Sequence, residues 1–416
     1  MINKIKANLI QYKVLLENFT FLSVLQISNL LIFLVITPYL FRVLGKESYG
    51  LVVFAQTIST YFSILVNFGF TVTATRDISI NRDNKQKTST IISTVLTLKG
   101  LFFFLSMAIL SILVLSIPLL NRHPKVFFIS MLYCLSETLF PIWYFQGIER
   151  MKYIAIINII TRILSSCLIF VLIKSADDYI DVPLVLGTGT VLGAVIGLFI
   201  VFKRYQHTFK ILPVYQLVNS LKENVPLFIS NVSSQIYVNA NKLIVGSFLG
   251  MQDVAVYDIA DKIVNLLKVP ILLIGQTLFP RVSRDKDVSF VKKAMLFVFL
   301  FFIVVYTGVT LFANPLIKIF SGTANINAAT LLRLLALSLL PICLGLFFAE
   351  LLLVPFGKLK DYARMRAFSL FIYLSLIGIL IKLHLISLYQ LAIVIVIVES
   401  FVLFYSYFLC RKNKLI

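Results

Sequence analysis

The strongest constraint in this 416-residue sequence is a recurrence: runs of about 20 apolar residues follow one another from end to end. As helix, at ~1.5 Å per residue, each run crosses the ~30 Å hydrocarbon core of a bilayer. Lipid admits only helices and closed barrels, because every backbone polar group there must be satisfied internally. With 59% hydrophobic and 13% charged residues, a soluble globule is excluded. The expected fold class is therefore an all-α polytopic membrane protein. Twelve spans can be drawn, at 19–41, 49–75, 89–117, 126–145, 154–173, 182–202, 225–249, 254–279, 294–313, 328–354, 367–386 and 388–409.

The eighth of these spans is the unusual one. It carries Asp258, Asp261, Lys262, Asn265, Lys268 and Gln276. Steps of three, four, three and three from Asp258 to Lys268 keep those residues on one side of a helix. A charge facing lipid at mid-depth costs roughly 2.5–3.5 kcal/mol, so the stripe must face water or partners. Pairing alone is the plainer account: Asp261 and Lys262 as a buried ion pair, with Lys242 a further partner that can meet Asp261 across the hairpin, since each lies about 10 Å below the same boundary. The length of the stripe favours an internal polar path, and with it a transporter. Lys262 and Lys268 then offer positive charge to an anion, and lysine holds phosphate as a point charge. Asp258 and Asp261 have two readings, as counter-charges or as a site that binds and releases H⁺ or Na⁺.

Net charge is +20. In a soluble protein this would point to nucleic acid, but here the basic residues sit in the connections. Of the 38 Lys and Arg residues, 25 flank the termini and the even-numbered connections, and 7 the odd-numbered ones. The positive-inside rule accounts for this without nucleic acid, and places both termini in the cytoplasm. The expected organisation is a cytoplasmic segment 1–18, a first lobe 19–202, a basic linker 203–222, a second lobe 223–410 and a cytoplasmic tail 411–416. The first apolar run is too long for a secretory signal and lacks a small-residue cleavage site.

No cofactor or metal is expected. The four cysteines, Cys134, Cys167, Cys343 and Cys410, show no ligand spacing, and His123, His207 and His384 lie in loops or near a span end. No Gly-rich phosphate loop opens a helix, so the energy source is an ion gradient, the membrane potential or the substrate's own gradient.

The sequence also repeats weakly at an offset of 205. Leu44-Gly45, Ala55 and Ile58 align with Leu249-Gly250, Ala260 and Ile263, and Arg76 aligns with Arg281. This offset lays span one on span seven, which rises from the same side, so the lobes are parallel six-helix repeats. Polar faces follow the repeat: Gln26 and Asn29 on span one, Gln56, Ser59 and Asn67 on span two, Asn231 and Gln235 on span seven. Singly, such residues more often join helices than touch a substrate. Glu137 and Arg162 read as a buried bridge within the first lobe, and Glu350 as its structural counterpart in the second. Glu399 and Lys99 show no evident partner. Pro38, Pro141, Pro270 and Pro341 lie within spans one, four, eight and ten and permit kinks.

Four stretches carry a family resemblance: Pro38-Tyr39-Leu40-Phe41-Arg42-Val43-Leu44-Gly45 with Tyr49-Gly50; Phe68-Gly69-Phe70 through Ala74-Thr75-Arg76-Asp77-Ile78; Phe140-Pro141-Ile142-Trp143-Tyr144-Phe145-Gln146-Gly147-Ile148-Glu149; and Leu278-Phe279-Pro280-Arg281-Val282-Ser283. Their order and spacing, over about two-thirds of the chain, resemble the Wzx-type O-antigen flippases. These form the polysaccharide-transport branch of the MOP (MATE-like) exporter superfamily. The resemblance implies V-shaped six-helix lobes around a cationic cavity, and alternating access in the bacterial inner membrane. It implies carriage of an undecaprenyl-diphosphate-linked oligosaccharide from the cytoplasmic to the periplasmic leaflet, with membrane lipids, a polysaccharide polymerase and a chain-length regulator as partners. Lys242, Lys262, Lys268 and Arg42 would receive the diphosphate or acidic sugars. A MATE-like multidrug or cation antiporter shares the fold but should favour acidic and aromatic pockets. A membrane polymerase or ligase should show sizeable outward loops with catalytic residues, and the outward loops here are short.

Overall fold

The computed structural model describes residues 2–416 except residue 324. Side-chain surroundings are described for all of these but residues 2–16, 19, 230, 231, 233, 234, 236–238 and 280. Among the described residues there is no strand. The helices are α1 (Ile2–Asn67), α2 (Phe70–Asn81), α3 (Lys85–Ser116), α4 (Pro118–Asn121), α5 (Pro124–Leu139), α6 (Ile142–Gly147), α7 (Met151–Leu172), α8 (Asp181–Phe199), α9 (Val214–Phe248), α10 (Met251–Asp285), α11 (Val288–Ser321), α12 (Ile326–Leu337), α13 (Leu339–Gly345), α14 (Leu359–Lys382) and α15 (Leu388–Lys412). Wide π-helical turns continue α8 over Ile200–Arg204 and α13 over Leu346–Leu353.

Ten helical stretches among the described residues are long and apolar enough to cross a membrane. The first of them, Thr20–Asn81, holds both of the first two expected spans, because α1 runs on past a break at Gly45. The expected seventh span lies within α9. Exposure is inverted relative to a soluble protein: Val35 is 59% exposed, Phe104 72% and Leu115 77%, as helices facing lipid require.

Helix ends follow local chemistry. The side chain of Asn84 accepts from the Lys87 amide (3.0 Å) and so starts α3. Asp287 does the same for α11 through Phe290 (3.0 Å), and Ser387 for α15 through Gln390 (3.3 Å). Proline acts unevenly. The helix stops before Pro141 and restarts as α6, and Pro341 lies in the short α13, whereas Pro38 sits inside α1.

The chain divides into two compact units, residues 1–232 and 233–416. The division falls within α9 rather than at the expected linker 203–222. The reason is that the first turns of α9 are built into unit 1. Asn224 accepts from Thr73 Oγ1 (2.7 Å), and Phe228 stacks on Phe68 at 4.3 Å between centroids. Gly69, at φ 85, permits the close approach: a Cβ there would lie 3.0 Å from the Leu227 Cβ. Within unit 1, α5 and α7 both pack on α1 and α8, and the core gathers Phe70, Ile78, Trp143, Tyr144 and Val201. Within unit 2, α10 packs on α12 and on the π-helical turn after α13, α11 on α12 and α13, and α14 on α15.

Candidate functional site

The charged stripe of α10 is organised by an aspartate. Asp258, 1% exposed, places Oδ1 at 2.8 Å from Lys242 Nζ and Oδ2 at 2.8 Å from Lys262 Nζ. Lys242, arriving on α9, turns a second contact onto Asp261 Oδ2 at 3.0 Å. Two lysines and two aspartates thus form one chain, Lys262–Asp258–Lys242–Asp261, of zero formal charge. Its members differ in access: the side chains of Lys242 and Asp261 are 17% exposed and that of Lys262 30%. Charges this far from water persist because each meets its opposite, and removing one partner would strand the other.

The residues next in sequence to Lys242 and Asp258 form a buried hydrogen-bond relay with Tyr373. Tyr373 donates to Asn241 Oδ1 (2.6 Å), and Asn241 Nδ2 donates to the Tyr257 hydroxyl (2.9 Å). It ties α9, α10 and α14 together one residue away from both Lys242 and Asp258. Nothing in the sequence marks Tyr257 and Tyr373 as partners of Asn241, because tyrosines are common residues in apolar helices.

A second set of charges lies further along unit 2. Arg366 Nη2 is 3.3 Å from Glu350 Oε1, and Glu350 sits in the π-helical turn Leu346–Leu353. Glu399 on α15, which the sequence left without a partner, lies within Coulombic reach of Lys268 and Arg366. Lys268 is half-buried, and among the described residues no ion pair within 4 Å holds it.

In unit 1 the expected bridge of Glu137 to Arg162 is not formed. Glu137 is taken by Lys99, the other charge left without a partner, whose Nζ lies 3.5 Å from Glu137 Oε1 and donates to the Glu137 carbonyl at 3.0 Å. Lys99 is fully buried, so it claims the nearest carboxylate, whereas Arg162 donates to Asn29 Oδ1 (2.6 Å). The polar residues of α1 serve neighbouring helices: Gln56 donates to Tyr133 (3.1 Å), Asn67 to Glu137 (3.1 Å), and Ser59 contacts the Met131 sulfur at 3.8 Å. Gln26 is exposed, as are Asn265 and Gln235, the last accepting from Asn239 (3.2 Å). Arg42 is exposed beside the Gly45 break. The side chain of Asn231 lies outside the described residues. No group of His, Cys, Asp and Glu suited to a metal ion occurs among the described residues.

An all-helical, multi-span chain with a paired charge network inside its spans defines a polytopic membrane protein. Solved structures of membrane transporters share its fold. It matches the lipid II flippase MurJ in an inward closed conformation, with TM-score 0.73 and 16% identity over 93% of this chain and 87% of that one. It also matches an inward-facing multidrug resistance MATE family transporter of the MOP superfamily, with TM-score 0.67 and 18% identity over 92% and 94%. In sequence, residues 15–286 match the family described as polysaccharide biosynthesis protein, and the chain belongs to that family. Among its relatives is an Escherichia coli (strain K12) protein provisionally named an O-antigen transporter, 28% identical over 77% of this chain and 79% of its own length. A Shigella dysenteriae protein with the same provisional name is 25% identical over 86% and 91%.

Proposed function

We propose that this protein is a flippase of the bacterial inner membrane. It carries an undecaprenyl-diphosphate-linked oligosaccharide from the cytoplasmic to the periplasmic leaflet, by alternating access driven by an ion gradient. It acts as a transporter and not as an enzyme, in keeping with the provisional names of its relatives as O-antigen transporters. The observation that carries the reading is the charge network: α9 and α10 together hold two lysines and two aspartates in one chain of contacts, with Lys268 beyond it on α10. A diphosphate is a compact double anion, and lysine meets it without fork geometry. Lys268 is the first lysine to receive it, because its neighbour Glu399 is not within ion-pair distance. Lys242 and Lys262 receive charge by exchanging an aspartate for a phosphate oxygen. Asp261, held by Lys242, is then the group released, and the better placed of the two aspartates to take up H⁺ or Na⁺.

The test is transport itself. Purified protein in vesicles should move a fluorescent undecaprenyl-diphosphate oligosaccharide between leaflets, and Lys268→Ala should slow this by at least tenfold while insertion is unchanged. Normal transport by Lys262→Ala/Lys268→Ala would remove the lysines from the substrate path. Exchange of organic cations, with no movement of the lipid-linked sugar, would assign the protein to multidrug transport instead.

A further inference from the structure

The connection between the sixth span and α9, together with the first residues of α9, carries large apolar side chains that the fold leaves uncovered. Ile211 is 97% exposed, Val214 73%, Tyr215 63% and Phe209 54%. Such a cluster marks an interaction surface rather than a solvated loop. The backbone beneath it is pinned. His207 is held between Ser89 Oγ (3.1 Å, at Nδ1) and the Tyr144 hydroxyl (2.9 Å, at Nε2). Two alternate amides then bond to one helix: Thr208 N–H to Ser89 Oγ at 3.3 Å, and Lys210 N–H to Ser93 Oγ at 2.9 Å.

Those two serines fix the course of the segment. They stand one turn apart on α3, ~6 Å along its axis, with Ser93 the nearer to the apolar stretch of the helix. About two and three turns further on, Leu101 is 56% exposed and Phe104 72% exposed, as befits a face turned to lipid. The segment therefore runs along α3 toward the stretch of that helix that turns its apolar side chains outward. Lys85 and Lys87 lie in the first turn of the helix it follows, and Lys203, Arg204 and Lys210 precede or belong to the segment; all five are exposed. Apolar side chains in that position, accompanied by basic ones, match an interface of acyl chains topped by anionic headgroups.

We propose that residues 207–215 form an interfacial anchor, with Phe209 and Ile211 inserted at the headgroup–acyl boundary and Lys203, Arg204 and Lys210 bound to anionic phospholipid headgroups. The anchor lies wholly within unit 1 and does not depend on what the protein transports.

The sequence holds one tryptophan, Trp143, which is fully buried, so Trp143→Phe with Ile211→Trp, or with Phe209→Trp, gives a single reporter. In vesicles of phosphatidylcholine with phosphatidylglycerol, the full-length protein should show blue-shifted emission. Lipids brominated near the headgroup should quench it at least twofold, and more than lipids brominated at the chain end. Emission typical of water, quenched by iodide and not by brominated lipid, would overturn the anchor. Quenching by neither would overturn it too, by placing the segment beneath protein. Lys203→Glu/Lys210→Glu should halve the lipid quenching at low salt. Equal quenching of the unaltered anchor in vesicles with and without phosphatidylglycerol would remove the anionic headgroups. If Trp143→Phe does not fold, a benzophenone at position 211 in the native background reads the same contact. Lipid adducts support insertion, and their absence overturns it.

Discussion

Gly45 and Gly250 hold nearly the same backbone conformation, φ 72 and ψ 173 at the first, φ 109 and ψ 173 at the second. They stand 205 positions apart, the offset at which the two halves of the chain repeat. Each ends one long helix and begins the next, and at neither would a Cβ meet another atom within 4 Å. The glycine is thus required by the backbone and not by space, since this region of φ and ψ is closed to other residues.

Gly45→Ala and Gly250→Ala should therefore each lose about 1–3 kcal/mol, the cost of forcing a side chain into that conformation. Reversible unfolding in mixed micelles checks this. Losses of similar size at both positions are the expected outcome, because the same turn is made in each half.

The charge chain of unit 2 is graded by burial and by the number of contacts. Asp258→Ala leaves two lysines without their shared carboxylate and should cost about 3–5 kcal/mol, the range for breaking a buried pair. Lys262→Ala removes one contact from a side chain 30% exposed and should cost clearly less. The same unfolding measurement on the two variants ranks them, and the reverse order would contradict the geometry.

Helix α8 approaches its neighbours through glycine. A Cβ on Gly189 would collide with Ser165 Oγ, and would lie 3.1 Å from the Ser165 Cβ. Gly189→Ala should lower thermal stability, and adding Ser165→Ala should recover much of the loss, because the Oγ is the atom in the way. Thermal unfolding of both variants in detergent tests this, and a double variant no better than the single one would place the cost elsewhere.

The pinned connection should loosen with acid. Burial first, and then the positive charge of Lys85, hold His207 below the usual imidazole range. The groups that meet it are Ser89 on α3 and Tyr144 on α6, with Tyr205 packed on Tyr144. A folded-state value below the unfolded one means that the unfolded segment binds more protons. The contribution of His207 is thus fully present above the ordinary imidazole value, ~6.5, and is lost as pH falls through it. Hydrogen exchange at Thr208 and Lys210, corrected for intrinsic rates, should quicken relative to the core between pH 8 and pH 5.5. His207→Asn should flatten that dependence.

Much of this protein was legible in its sequence because lipid is a severe and uniform solvent. It fixes the length of each apolar run, forces the backbone into helices, and confines basic residues to the connections. A helical repeat of three and four was enough to put Asp258, Asp261, Lys262 and Lys268 on one face, and hairpin depth to bring Lys242 to Asp261. Glycine left its mark for the same reason, since Gly45 and Gly250 answer to local backbone chemistry. The choice of partner was not legible. Glu137 went to Lys99 and not to Arg162, Asp258 took both lysines so that Lys262 pairs with it and not with Asp261, Glu399 came within reach of Lys268 and Arg366, and α9 gave its first turns to unit 1. Each of these depends on which faces of distant helices meet and on how deeply each charge is buried. Spacing along one helix does not encode that, so only the packed tertiary structure decided it.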